Sequence, residues 1–463
     1  MIVKLAIRLL FAHPVRSAVL AAGFGTGVAV MAILLGVGQV VLQQARSPAL
    51  VGGGEVVIGG AGAGVAAARV LLSGALRTPP LGSRVRAASP SSRATLYVVR
   101  PNGTSPVRAR AGIPSLERAL GDPEASGVAS WVDAPSDAAW TSPDPAAVLR
   151  AIDRFRPVPD VPARAASWAE WLYFNGRSSS ARFYLTFLVG PAQADGRRTA
   201  GVRLQLDRGH GVESFNATAA LDRDAIDAAP ELTIGASRIT LDGLRYNIAL
   251  DLSDRNGRKV TGDLSITGAT AQLMPPIQIH GAGGWQSGYV VPVMSGVLGG
   301  TLLVDGERVS FDHGVGYHDH NWGFWEGVSW QWGQVQHQDI SIVYGRVFPP
   351  RDAADPARIP GFLAAIGPGG PIGYATNVTI EEANASGASR PQRITVRAQS
   401  PSIDLTLTFS VEDLVVNRMQ AGPLASAAMD FLQLRGRYTV AGTAGDRRVA
   451  FQTPGSAETF RGR

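Results

Sequence analysis

The sequence predicts a mainly β protein: two consecutive antiparallel β-barrel domains that follow one N-terminal transmembrane helix. Three observations predict it. Ser17–Ala45 contains no charged residue. From Ser167 onward, short apolar–polar alternations succeed one another, most regularly in SIDLTLTFSVE. The chain of 463 residues also carries 55 Gly and 30 Pro, a supply of turn formers that suits many short strands better than long helices.

Residues 1–46 read as a basic cytoplasmic lead and a membrane anchor. Ala18 to Leu42 supplies the roughly 20 apolar residues that a bilayer-spanning helix needs. That is longer than the apolar region of about 7–15 residues in a secretory signal, so an uncleaved, single-pass anchor is expected. The alternative is a long signal peptide cut in the Ala/Gly-rich segment after Gly52. Lys4, Arg8 and Arg16 precede the span. Cationic flanks stay cytoplasmic, which puts everything after about Arg46 outside the cell membrane, in the periplasm or on the outer face. VMSGVLGGTLLV is the nearest second candidate, and it is too short and too glycine-rich. The opening LAIRLLFAHPVRSAVLAAGFGTGVAVMAILLGVG resembles the start of FtsX-like ABC-transporter permeases, with a basic amphipathic lead, a His-Pro-x-Arg-Ser turn and a first membrane helix. Those permeases carry three further membrane helices without counterpart here. The resemblance therefore implies kinship or partnership with ABC-transporter components, not transport by this chain.

Residues 47–157 read as a Gly/Pro-rich linker with a short helix. ATLYVVR has the composition of one strand. In SPDPAAVLRAIDRF, Asp144 is an N-cap, Pro145 takes the first helical position, and Leu149, Ile152 and Phe155 share a face. PVPDVP marks the boundary before the first barrel, 158–325. There ARFYLTFLVGP and GVRLQLDRG are strand-like, and RYNIALDLSDRNG places Tyr246, Ile248, Leu250 and Leu252 on one face ahead of a turn. The second barrel, 326–463, contains the most regular strand. Ile403, Leu405, Leu407, Phe409 and Val411 alternate without a miss against polar neighbours, which means one buried and one wet face.

Composition excludes several functions. There is no cysteine, so disulfides, thiolate metal sites and cysteine nucleophiles are out. The net charge of +6 comes from scattered arginines, with Lys4 and Lys259 the only lysines. No basic stripe interleaved with aromatics points to nucleic acid. GAGAG near Ala61 lacks the Lys-Ser/Thr of a phosphate loop, and no Gly-x-Ser-x-Gly elbow is present.

The chemistry concentrates in GYHDHNWG, Gly316–Gly323. Five of the seven histidines fall between His280 and His337, and five of the nine tryptophans between Trp285 and Trp332, so this region is where a polar, aromatic site is expected. As a strand, the segment puts His318, His320 and Trp322 on one face and Tyr317, Asp319 and Asn321 on the other. SWQWGQVQHQ puts Trp330, Trp332, Gln334 and Gln336 on one face. Two such adjacent strands would line a cavity with indoles, imidazoles and amides.

EWLYFNG (Glu170–Gly176), the VVP-to-G approach at Val290 to Gly300, GYHDHNWG and the following WQWG resemble the hydroxyneurosporene synthase family. That family includes carotenoid hydratases and AttH-type lipocalin-like proteins. Leu172 stands where the family has an aromatic. The resemblance covers roughly Pro157 to the C-terminus. It implies two successive lipocalin-like (calycin) barrels and a cavity for a lipophilic molecule.

Three functional readings follow. In the first, the cavity binds a lipid or isoprenoid beside the membrane, as an accessory to an ABC export system. Trp171, Tyr173, Asn321, Trp322, Trp325, Trp330, Trp332 and His337 would be its ligand-binding residues. In the second, the protein is a cofactor-independent hydratase of an isoprenoid or carotenoid C=C bond. Asp319 would be the acid kept protonated by burial, His318 or His320 would handle water, and Tyr317 and the tryptophans would supply cation-stabilising faces. In the third, His318 and His320 ligate a metal with His337 or His313; no third ligand has a diagnostic spacing. Against all three stands the possibility that the cluster only satisfies buried polar groups. Glu170 could face the cavity as a second carboxylate or sit at a strand start in water.

Overall fold

In a computed structural model, the described residues are 132–141, 143–384, 390–420 and 428–462, the segments 85–100 and 103–120, and a few positions between 14 and 125. The proposed membrane span lies outside them. Among the described residues, no helix is long and apolar enough to cross a membrane.

The chain forms two compact units. One, Met1–Gly59 with Arg86–Asp137, contains the hairpin of β1 (Ser91–Arg100) and β2 (Gly103–Gly112) and a helix, Pro114–Ala119. The ATLYVVR strand is thus half of a hairpin, not a lone element. The other unit, Gly60–Val85 with Ala138–Arg463, holds both large sheets.

The first sheet is built from β3 (Trp168–Arg177), β4 (Arg182–Ala192), β5 (Arg198–Asp207), β6 (Val212–Leu221), β7 (Leu232–Ile234), β8 (Ser237–Asp242), β9 (Arg245–Ser253), β10 (Lys259–Thr267), β11 (Met274–His280), β12 (Gln286–Val304), β13 (Glu307–Ser310) and β14 (Gly314–Phe324). Hydrogen bonding runs β10-β12-β14-β3-β4-β5-β6-β9, and β9 returns to β10, so these eight strands close into a barrel. The seam between β6 and β9 is a single pair, Asn216 with Ser253, because β8 takes the rest of that edge of β9.

Tyr246, Ile248, Leu250 and Leu252 are all buried inside, as the alternation predicts. β4 departs from simple alternation. Phe183, Leu185, Phe187 and Val189 fill the barrel, while Tyr184 and Leu188 on its outer face line a cavity. Both faces of that strand are covered by protein, so both are apolar. VMSGVLGGTLLV is the end of β12, a 19-residue strand with two register shifts against β14. Gly288 in β12 is required by packing, since a Cβ there would collide with the Trp322 indole.

The predicted helix is Pro145–Ile152, with the Asp144 carboxylate accepting from the Ala146 and Ala147 backbone N–H groups. It lays Val148, Leu149 and Ile152 into the barrel core. Phe155 falls beyond its end. An Asp144→Ala change should cost about 1 kcal/mol, seen as a lower urea midpoint at unchanged slope.

The second sheet comprises β15 (Ser329–His337), β16 (Ile340–Phe348), β17 (Phe362–Gly367), β18 (Gly370–Ala375), β19 (Asn377–Asn384), β20 (Pro391–Ser400), β21 (Ile403–Gln420), β22 (Ala428–Ala444) and β23 (Arg447–Gly462). The order is β18-β17-β16-β15-β23-β22-β21-β20-β19, so the last strand inserts between β15 and β22. Ile403, Leu405, Leu407 and Phe409 are buried, whereas Val411, next to a register shift, is only partly so. A second closed barrel was expected. Among the described residues, β18 and β19 share no ladder. The curl is completed by packing instead, with Gly373 of β18 against the Ile403 side chain of β21.

Three apolar clusters result. One fills the barrel and one lies within the curl of the second sheet. The third, including Tyr173, Tyr184, Met294, Tyr317, Trp332 and Val343, lies where the two sheets meet. Hydrogen bonds cross the same junction, between the Tyr184 and Ser456 hydroxyls (3.0 Å), from the Gln336 amide to the Met294 and Gly316 carbonyls, and from Arg435 to Asp207 (2.7 Å).

Candidate active site

A cavity of about 680 Å³ occupies that junction. It lies between the outer wall of the barrel and the facing wall of the second sheet, not inside either core. Trp171, Tyr173, Asp319, Asn321, Trp325, Trp330 and Trp332 all line it. Its aromatic wall is continuous: Trp171 and Trp325 are 4.6 Å apart by ring centroid, Trp325 and Trp330 are 5.3 Å apart, and Trp330 stacks on Phe460 at 4.0 Å.

β14 divides by parity. Asp319 and Asn321 point into the cavity. Asp319 Oδ1 accepts from Asn321 Nδ2 (2.8 Å), and Oδ2 accepts from the hydroxyl of Tyr317 (3.0 Å). Tyr317 is fully buried behind it and sits 2.7 Å from the Tyr289 hydroxyl, which accepts from Trp332 Nε1 (2.9 Å). A relay of donors thus runs Trp332, Tyr289, Tyr317, Asp319. Burial pushes the Asp319 carboxyl well above the usual range, and the charge of Glu458 adds to this; the hydrogen bonds from Tyr317 and Asn321 oppose it and do not prevail.

His318, His320 and Trp322 take the other parity and point into the barrel. This corrects three expected cavity residues: both imidazoles are fully buried in the core and none of the three side chains lines the cavity. His318 Nε2 and His320 Nδ1 each lie 3.0 Å from a different oxygen of Asp153, just beyond the short helix. His318 Nδ1 donates to the Tyr173 carbonyl (2.9 Å), and His320 Nε2 lies 2.8 Å from Glu170. Tyr246 donates to Asp153 at 2.7 Å. Burial by itself would raise Asp153, yet the charges and hydrogen bonds of His318 and His320 hold it well below the usual carboxylate range. Burial disfavours a charged His320, and the bonds to Asp153 and Glu170 more than offset it, so its pKa is raised.

All four ring nitrogens are therefore engaged by protein groups, which removes them as free ligands for the metal reading. Among the described residues, no group of three His, Asp or Glu is placed to hold a metal ion. His337 lies on the opposite parity of β15 from Trp330 and Trp332. It stacks on Phe451 at 4.3 Å and does not line the cavity. Glu170 is neither in water nor in the cavity. It is fully buried, accepting from the Arg156 backbone N–H at 2.8 and 3.1 Å.

Two residues escape sequence reasoning. Asp153 ties the histidines together, and Glu458 lines the cavity from β23. Burial raises the Glu458 carboxyl to about 7, against hydrogen bonds from Tyr173, Gln433 and Trp330. Alternation within ETF could have placed Glu458 and Phe460 on one face, but nothing local says that β23 pairs with β15.

The chain is similar in structure to kievitone hydratase from Nectria haematococca, with a TM-score of 0.42 and 15% identity over 65% of this chain and 93% of that one. It is likewise similar to a candidate AttH from Nitrosomonas europaea, with a TM-score of 0.42 and 14% identity over 66% and 98%. A third similar structure is CghA, with a TM-score of 0.42 and 12% identity over 67% and 94%. No protein-family model matches the sequence, and no curated protein matches it.

Proposed function

We propose that the cavity holds a lipophilic, unsaturated small molecule of isoprenoid type, and that the protein adds water across one of its C=C bonds without a cofactor. The observation that carries this is Asp319: a buried carboxyl aimed into a space walled by indole and phenol rings, raised well above its ordinary range by burial, and bonded by Tyr317 and Asn321 with no cationic side chain on it among the described residues. Asp319 gives its proton to the less substituted alkene carbon. The tertiary cation is stabilised by the faces of Trp171, Trp330 and Trp332. Water adds to that cation and loses a proton to Glu458. Solvent then returns a proton to Asp319 and removes one from Glu458, so the net change is one water added. Two carboxyls whose environments push their pKa values apart divide into acid and base in this way.

The pH profile tests the pairing. Glu458 must be ionised and Asp319 protonated, so the rate should rise as pH passes about 7 and fall again once Asp319 ionises. Glu458→Gln should lower the rate and abolish the rising limb; a limb left unchanged would remove Glu458 from the reaction.

Simple carriage of the same ligand is the second reading, supported by the size and apolar wall of the cavity. Native mass spectrometry of the purified protein in ¹⁸O-water separates the two. Bound molecules that differ by one labelled water support hydration, and a single unlabelled species leaves carriage. We further propose that this cavity works on the outer side of a membrane beside ABC-transporter components, a proposal supported by the uncharged Ser17–Ala45 stretch and its cationic lead.

A further inference from the structure

The row of side chains across the barrel wall does not end at Asp319. Register pairs Asp319 with Tyr173, Tyr173 with Thr186, Thr186 with Arg203 and Arg203 with Asn216. Directly paired residues of antiparallel strands share a face, and all five of these line the cavity. Arg203 therefore lies three strand spacings from Asp319, roughly 14 Å along the wall at about 4.8 Å per spacing.

The groups around Arg203 are under-used. Arg203 Nη2 donates to Asn417 Oδ1, which also accepts from Gln205 Nε2 at 3.2 Å. That leaves Arg203 Nε and Asn417 Nδ2 as buried donors without a partner, and Gln205 Oε1 as a buried acceptor without one. Gln205 and Asn417 are 3% and 4% exposed, and both line the cavity. Among the described residues, no carboxylate bridges Arg203; Arg435, at the same junction, holds both Asp207 and Asp413. Burial disfavours the Arg203 guanidinium, and the charge of Arg255 disfavours it further. A half-buried cation with no carboxylate partner is costly unless something supplies an anion.

We infer that this end of the cavity is an anion subsite: Arg203, held by Asn417, receives the carboxylate of an amphipathic acid whose unsaturated part reaches Asp319. Arg203 is only half-buried and lines the cavity, and the open edge of its guanidinium can meet the oxygens of a carboxylate. The inference rests on the cavity being the ligand site, and it narrows the substrate class from hydrocarbons to unsaturated lipophilic acids.

The test titrates the full chain with cis-parinaric acid and with its methyl ester, by fluorescence at about pH 8, where the acid is ionised. The wild type should prefer the acid by about tenfold, the worth of one charge-assisted hydrogen-bonded pair. Arg203→Gln should erase that preference while leaving ester affinity within about twofold, and Asn417→Ala should reduce it in the same direction. Equal affinity of the wild type for acid and ester, or an Arg203→Gln protein that keeps the preference, overturns the subsite and leaves the lipophilic cavity standing. Failure of both probes to bind the wild type would overturn the cavity reading itself, and the subsite with it.

Discussion

Asp319→Asn should lower the hydration rate by about 10²–10⁴-fold, the usual contribution of a positioned general acid, while leaving ligand affinity nearly unchanged. Asparagine keeps the shape and an acceptor for the Tyr317 hydroxyl, so the loss would report the missing proton. The measurement is a paired one, turnover of an unsaturated acid and binding of cis-parinaric acid on the same preparation. A variant that binds and turns over like the wild type would remove Asp319 from the chemistry. A variant that loses binding as well would assign Asp319 to ligand positioning. His318 and His320 should behave differently. They lie in the barrel core, so their replacement should lower activity only as far as it lowers the folded fraction.

The second large effect concerns that core. Asp153→Ala leaves His318 Nε2, His320 Nδ1 and the Tyr246 hydroxyl without their shared acceptor. Breaking a buried charge network by removing one member costs roughly 3–5 kcal/mol, which a urea titration reads as a lower midpoint. The sign with pH follows from the direction of each shift. Asp153 is held below its ordinary range, so its stabilisation is full above that range and is lost as pH falls through it. His320 is raised, so its contribution is full below its ordinary value and is lost as pH rises past the raised one. The stability gap between wild type and Asp153→Ala should therefore be widest between those limits and close on acidification. A gap independent of pH would mean that Asp153 contributes packing alone.

These two carboxylates show how one strand serves two purposes. β14 turns its even-numbered side chains into a saturated core network and its odd-numbered ones toward a cavity. The network ties one face of the strand to Asp153, Glu170 and the Tyr173 carbonyl, and the other face presents Asp319 to Tyr317 and Asn321. A group that must act as an acid needs that fixity, because proton transfer depends on a hydrogen-bond-scale approach to the reacting atom.

Much of this was legible in the residues. The period-two patterns of β9 and β21 name their buried faces correctly. The cap and apolar face of the Pro145–Ile152 helix are written in SPDPAAVLRAI. The histidine and tryptophan clustering marks the strand that carries Asp319 and Asn321 along the cavity, and parity sorts its side chains into two sets. Parity does not say which set meets the cavity. That is settled by what covers the outer wall of β14, namely a sheet built from residues beyond Ser329. The imidazoles were therefore expected in the cavity although a carboxylate from a distant helix end claims them. Glu458 was invisible for the same reason, since its place follows from a last strand inserted between β15 and β22.

By itself, then, the sequence determined the local elements, because alternation, capping and turn chemistry act over a few residues and leave their period in the chain. It also determined where the unusual polar groups are concentrated. Only the tertiary structure decided which of those groups are saturated by one another and which face an open space with protons or charges to spare. Burial and pairing are properties of residues brought together across more than a hundred positions, and those contacts, not the side chains alone, set a carboxyl's charge.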